Sequence, residues 1–240
     1  MPVMDEFKEQ RAAMKEKPLK DRLEHFWYYH KWYLIAGVVG VVFIILLLCS
    51  ILNHKETAFR ATITDVDVHG EEQQLIDRFT EYSNIDDDTY HVFFDSALYF
   101  INGNYQSPTK ITAMLSSAEI DVLSFATEYF EQYAYNDTFL DLRTCMSEEE
   151  LEAYQGQIFY IDQQLVIENE EHYLDEDYEY QCADDPLNPD SMTTPVPVGI
   201  LISDSETLTE VYSFVDTSYM GIPKNAQHID KALAFLEYMK

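Results

Sequence analysis

Apolar positions change their spacing from stretch to stretch along this chain, and each spacing predicts a different element. Between Lys31 and Lys55 no charged residue intervenes, and the core of that run is Tyr33 to Leu52 (YLIAGVVGVVFIILLLCSIL). Wound as a helix it is long enough to cross about 30 Å of hydrocarbon, which predicts one membrane span from Trp32 to Asn53. Beyond it the period becomes two: Phe59, Ala61 and Ile63 alternate with Arg60, Thr62 and Thr64, as in a strand with a buried face. Then Leu75, Ile76, Phe79 and Tyr82 fall on one helical stripe, and Tyr90–Phe94 reads as a second strand.

The alternation continues to the end of the chain. Ser107-Pro108 predicts a helix start, with Ile111, Met114, Leu115 and Ala118 on one face. A buried strand follows at Ile120–Phe125, and Thr127 is placed to cap the next helix. Ser147-Glu148-Glu149-Glu150 is a capping box, with Met146 and Leu151 set to form its hydrophobic staple. Gln157–Ile161 and Gln164–Ile167 read as two strands joined tightly. Residues 168–195 hold ten carboxylates and three prolines without periodicity and read as an irregular acidic insertion. Val196–Ile202 restores a strand, and Ser203 with Glu206 offers another capping box. Tyr219–Ile222 is the last strand; Asn225 caps a helix carrying Ile229, Ala232, Leu233, Leu236 and Met239. Strands alternating with helices predict an α/β domain whose largely parallel sheet is covered by helices. Three regions result: a cytoplasmic tail with a juxtamembrane helix (1–31), the span (32–53) and one extracytoplasmic domain (55–240).

Orientation follows from charge. Residues 1–31 carry seven basic side chains, against Lys55 and Arg60 just after the span, so the positive-inside rule places the N-terminus in the cytoplasm. Aromatics from Phe26 to Tyr33 crowd that boundary and set the depth of the helix. A cleaved signal is disfavoured, because no small-x-small site follows Leu52, and bulky Leu48 before Cys49 spoils a lipoprotein box.

The net charge of −29 is uneven: the 209 residues after Lys31 hold 8 basic and 38 acidic groups. Such a field repels nucleic acid and anionic lipid surfaces; it either attracts cations or basic partners or simply keeps an extracytoplasmic domain soluble as a solvated acidic surface. Cys145 and Cys182 either form one disulfide or remain separate thiols. No phosphate-cradling loop, GxSxG elbow, HExxH or CxxC occurs, and His69, His91, His172 and His228 share no metal-ligand spacing. The clusters Asp86-Asp87-Asp88 and Asp175-Glu176-Asp177 with Glu179 offer oxygen ligands without EF-hand spacing and read as solvated loop charge. No cofactor or metal is expected.

Two stretches carry a resemblance. KITAMLSSAEIDVLSFATEYFEQYAYNDTFLDL (Lys110–Leu142) and GIPKNAQHIDKALAFLEYM (Gly221–Met239) resemble, in order, segments of bacterial extracellular solute-binding proteins of the type 2 periplasmic-binding-protein-like class. HFWYYHKWYLI is similar to the anchors of single-span proteins of Gram-positive anaerobes. Family members close two lobes on a ligand, whereas here only residues 143–195 stand where the second lobe would be inserted. The resemblance therefore implies a truncated, single-lobe relative held by a membrane helix. Its ligands would meet loops at the C-terminal ends of the strands, here Asp65 and Asp67, Asp95 and Ser96, and Thr127 and Glu128, with Tyr219 stacking on a sugar or peptide. The plainer reading gives Asp95 and Thr127 capping roles and Tyr219 a place in the core. The expected function is a non-enzymatic, membrane-anchored binding or accessory module for a small solute; the alternative is a structural or sensory subunit of a cell-envelope complex, docking on a basic protein through its acidic face.

Overall fold

A computed structural model describes residues 18–52, 55–101, 106–172, 174–175 and 178–240. The chain divides into two units, 1–54 and 55–240. In the first, helix α1 (Leu19–Leu52) begins directly after Pro18. Its segment Lys31–Cys49 is long and apolar enough to cross a membrane, and Trp32, Val39, Phe43 and Leu46 are all more than half exposed. An apolar surface all round suits a lipid-facing helix, so α1 is compatible with a single-pass anchor. The tail before Pro18 lies outside the described residues.

In the second unit β1 (Glu56–Ile63) is followed by β2 (Val66–Val68), α2 (Glu72–Tyr82), β3 (Tyr90–Asp95), α3 (Gln106–Ser116), β4 (Val122–Ala126) and α4 (Thr127–Tyr135). After a 3-10 turn at Leu142–Thr144 come α5 (Glu148–Glu152), β5 (Ile158–Asp162) and α6 (Gln163–Glu171). A second 3-10 turn (Pro189–Ser191) precedes β6 (Pro195–Leu201), α7 (Glu206–Thr209), β7 (Tyr212–Phe214), β8 (Ser218–Gly221) and α8 (Ile229–Tyr238). Six strands form one sheet in the order β3-β1-β4-β8-β6-β5, and β2 pairs with β7 in a small second sheet.

The α/β class is as the alternation predicts, but the sheet is mixed. β1 pairs in parallel with β3 and β4, whereas the β4–β8, β8–β6 and β6–β5 pairings are antiparallel. Long connections permit either direction, so alternation in sequence could not fix it.

Neighbouring residues of β4, Val122 and Leu123, belong to different apolar clusters, as do Met220 and Tyr219 of β8. Side chains alternate across a strand, so the sheet has a core on each face. One face gathers Phe59, Phe79, Phe94 and Phe235, with Phe79 centred 5.0 Å from both Phe59 and Phe235. The other gathers Phe100, Phe125, Phe130, Phe159 and Tyr219.

The capping box forms as expected: Glu150 N–H donates to Ser147 Oγ (3.3 Å) and Ser147 N–H to Glu150 Oε2 (2.7 Å). Other caps differ. Ser107 lies inside α3 with its buried hydroxyl unpaired, Ser205 rather than Ser203 caps α7, and His228 rather than Asn225 occupies the position before α8. Gln164–Ile167 is helix, not strand. Asp162 accepts the Gln164 amide at 3.1 Å and starts α6, which buries Val166 and Asn169 three residues apart. The acidic insertion begins inside α6, since residues 168–171 are helical, and the described residues from His172 to Thr194 are irregular apart from the short turn at Pro189–Ser191. It covers the outer edge of β5, where Tyr160 N–H donates to the Pro186 carbonyl (2.8 Å), and Gln163 N–H extends the β5–β6 ladder by one bond to the Thr194 carbonyl (2.9 Å).

Candidate functional site

The parallel strands β3, β1 and β4 end side by side, which is where an open α/β sheet presents ligands. All three expected loops leave from this edge. What lies over it is the chain itself.

Asp65 follows β1 with φ of 55°, a left-handed conformation that Asp tolerates better than most residues, and it is fully buried. Its amide donates to the Leu98 carbonyl (2.9 Å) and its carbonyl accepts Val215 N–H (3.1 Å). Oδ1 accepts the amides of Phe100 (2.6 Å) and Ile101 (3.0 Å). The Thr64 hydroxyl sits between the Ser124 carbonyl (2.9 Å) and Asp65 Oδ2 (3.1 Å), and its single proton serves one at a time.

The segment thus held carries two aromatic residues across the edge. Tyr99 O–H reaches the Val66 carbonyl (2.8 Å) and Asp67 Oδ1 (3.2 Å). Phe100 packs edge-on against Phe125 at 5.0 Å and against Tyr129 at 5.2 Å, and Tyr129 O–H donates to the Phe100 carbonyl at 3.2 Å. An aromatic ring therefore plugs the mouth of the parallel half.

The remaining candidates are engaged in the fold. Asp95 is buried and ion-paired with Lys110 Nζ at 2.6 Å. Ser96 Oγ and Tyr212 O–H both donate to Glu72 Oε1, at 2.7 Å each. Burial, and then the Glu72 carboxylate, push the Tyr212 phenol well above its ordinary value. Thr127 opens α4 and turns its hydroxyl to the Thr217 carbonyl (3.0 Å). Glu128 is exposed. Tyr219 is buried, its ring 5.0 Å from Phe159 and 5.8 Å from Phe130. Asp65, Asp95 and Thr127 thus share an edge, Asp67 and Glu128 reach solvent, and Tyr219 belongs to the core.

Cys145 and Cys182 are free thiols. Burial raises both, Cys182 to about 12 with the neighbouring Glu131 adding to it, and a protonated thiol is a poor nucleophile. Asp121, buried, accepts the amides of Arg60 (2.8 Å) and His228 (2.9 Å) and meets His228 Nδ1 at 3.1 Å, which ties β1, β4 and α8 together. Asp86 closes its own turn by accepting Thr89 O–H (2.8 Å) and the Asp88 amide (3.2 Å). Asp175 pairs with His172 at 2.7 Å; Glu176 and Asp177 lie outside the described residues. Among the described residues no three His, Cys, Asp or Glu side chains are grouped to hold a metal ion.

A second concavity was not legible in the sequence. Between α5 and α8 runs a groove of about 600 Å³, floored by Met146, Tyr154, Leu233 and Ala234 and rimmed by Glu149, Glu150, Asp230 and Glu237. The Tyr154 hydroxyl donates to the Leu236 carbonyl (2.9 Å), holding the ring as floor, and Lys240 Nζ lies 5.2 Å from its centroid. The only foreshadowing was the acidic run of the capping box. Compared with models of protein families and with curated proteins, the chain matches none.

Proposed function

We propose that this protein is a membrane-anchored, non-enzymatic interaction module, with its N-terminus cytoplasmic and residues 55–240 extracytoplasmic, that docks a partner protein through its acidic surface. On this reading it keeps the scaffold of one solute-binding lobe while giving up solute capture. The observation that carries it is the Asp65–Phe100 closure: the strand edge where a solute would sit is filled by Tyr99 and Phe100. Small molecules held tightly bury most of their surface, and a filled edge offers none to bury them in. The acidic excess after Lys31, 38 groups against 8 basic, supplies attraction for a basic protein instead. The uneven basic residues flanking α1 support the orientation.

Calorimetry on the full chain in zwitterionic nanodiscs tests this. Sugars, amino acids and short neutral peptides at millimolar concentration are expected to give no heat of binding. Micromolar affinity for any of them would overturn the reading in favour of a working solute receptor.

A further inference from the structure

We propose that the groove between α5 and α8 is the docking site, and that its occupant is a basic amphipathic segment of the partner protein. This rests on the interaction-module reading and gives it an address. The floor is apolar and continuous with the core: Met146, Leu233 and Ala234 pack against the cluster that holds Tyr154 and Phe235. Methionine on such a floor adapts to differently shaped side chains.

The rim sets the sign of the occupant. Glu150 is held by Ser147, and Asp230 has Lys231 at 3.7 Å. Glu237 stands beside the Tyr82 phenol, and Glu149 has no ion-pair partner among the described residues. Four carboxylates around an apolar floor make a poor place for an anion. A lysine already shows what fits. Lys240 places its ammonium over the Tyr154 ring, the contact in which an aromatic face attracts a cation. A partner segment with lysines beside an apolar face would set its ammoniums against the rim carboxylates while burying its own apolar stripe, as helices do in apolar grooves.

Other occupants fit less well. A second copy would bring the same acidic excess, 38 groups against 8, and repel. A bare metal ion needs converging ligands, and no such group is found among the described residues.

Fluorescence anisotropy on the full chain in zwitterionic nanodiscs, with empty nanodiscs as control, tests the proposal. The probe is a short labelled helical peptide with Lys on one face and Leu and Ala on the other; its counterpart carries Glu for each Lys. The Lys peptide is expected to bind at low ionic strength and the Glu peptide not to bind. Glu149→Lys with Glu237→Lys should weaken binding by about tenfold or more, while Glu171→Lys with Glu179→Lys, the same charge change on the acidic insertion, should alter it by less than about twofold. Circular dichroism and a thermal melt establish that both pairs fold. Equal weakening by both pairs would overturn the groove while leaving docking by the acidic surface intact. No binding of the Lys peptide to the unmodified protein would overturn both. Sedimentation showing a dimer that the Glu149/Glu237 pair dissolves would assign the groove to a second copy and overturn the proposal.

Discussion

Asp65 and Phe100 stand 35 residues apart in sequence, yet the amide of one lies 2.6 Å from the carboxylate of the other. That bond ties the loop after β3 across the end of β1 in the parallel half of the sheet. It joins a residue in left-handed conformation to a loop that would otherwise leave its amides unpaired, and so fixes both at once.

Removing the acceptor exposes this dependence. Asp65→Ala leaves the Phe100 and Ile101 amides without a partner and puts Ala at positive φ, so a loss of about 3 kcal/mol is expected. Asp65→Asn keeps an acceptor oxygen and tolerates the conformation, so about 1 kcal/mol is expected. Urea unfolding of the full chain would show the order; equal losses would mean that the bonds to Oδ1 contribute little.

Gly199 marks a close approach. A Cβ there would collide with the Phe130 ring, which is itself stacked on Phe139 at 4.6 Å. Gly199→Ala should therefore cost about 1–3 kcal/mol by overpacking. Adding Phe130→Leu should recover part of that loss, whereas additive losses in the double-mutant cycle would place the strain elsewhere.

Alkaline pH should unfold residues 55–240 cooperatively. Burial first, then Glu237 and Glu150, push Tyr154 up to about 12, and Tyr212 is raised further. A phenol whose value is raised in the folded state keeps its proton while the unfolded chain gives it up near pH 10. The stability is fully present below that pH and is lost as pH climbs towards 12. Tyrosinate absorbance and circular dichroism should change together, and Tyr154→Phe should move the transition to higher pH. Complete ionisation of the tyrosines before any loss of structure would contradict this.

The capping box should fade in acid. At neutral pH Ser147→Ala is expected to cost about 1 kcal/mol. The Ser147 amide and hydroxyl hold the Glu150 carboxyl below its ordinary value of 4.5, so the bond contributes above that value and disappears as pH falls through the lowered one. The penalty of Ser147→Ala should shrink over the same range. A constant penalty would mean that Glu150 takes no part.

Topology is open to protease. On intact cells, protease should remove epitopes in 55–240 and spare those in 1–31. Protection of the C-terminal region would reverse the proposed orientation.

Local signals were readable wherever a short stretch decides its own structure. Leu75 and Phe79 lie on the buried stripe of α2 as their spacing demands, and Ser147 with Glu150 forms its box within four residues. Ser107-Pro108 misled by two residues, since Pro108 is expected as the first helical residue and α3 runs from Gln106. Gln164–Ile167 misled outright, because its four residues suit either period and Asp162 decides for helix. The edge could not be judged from sequence. Asp65, Asp95 and Thr127 were correctly placed at strand ends, but what fills the space above them depends on Tyr99 and Phe100, whose contacts are set only when distant segments meet. Strand direction belongs to the same class, because β8 enters the sheet antiparallel to β4 from nearly a hundred residues downstream.

That late arrival orders the assembly. β8 pairs with β4 on one side and β6 on the other, so the two halves of the sheet meet only through Ser218–Gly221. A growing chain can build β1, β3 and β4 early, and β5 with β6 later, but until residues 218–221 emerge each half presents a bare strand to its surroundings. Unpaired strand edges recruit whatever backbone is near. The keystone follows both halves in synthesis, so the nascent protein is exposed to pairing with its own siblings until that strand emerges, and a chain broken ahead of Ser218 would leave two open half-sheets rather than a smaller working domain.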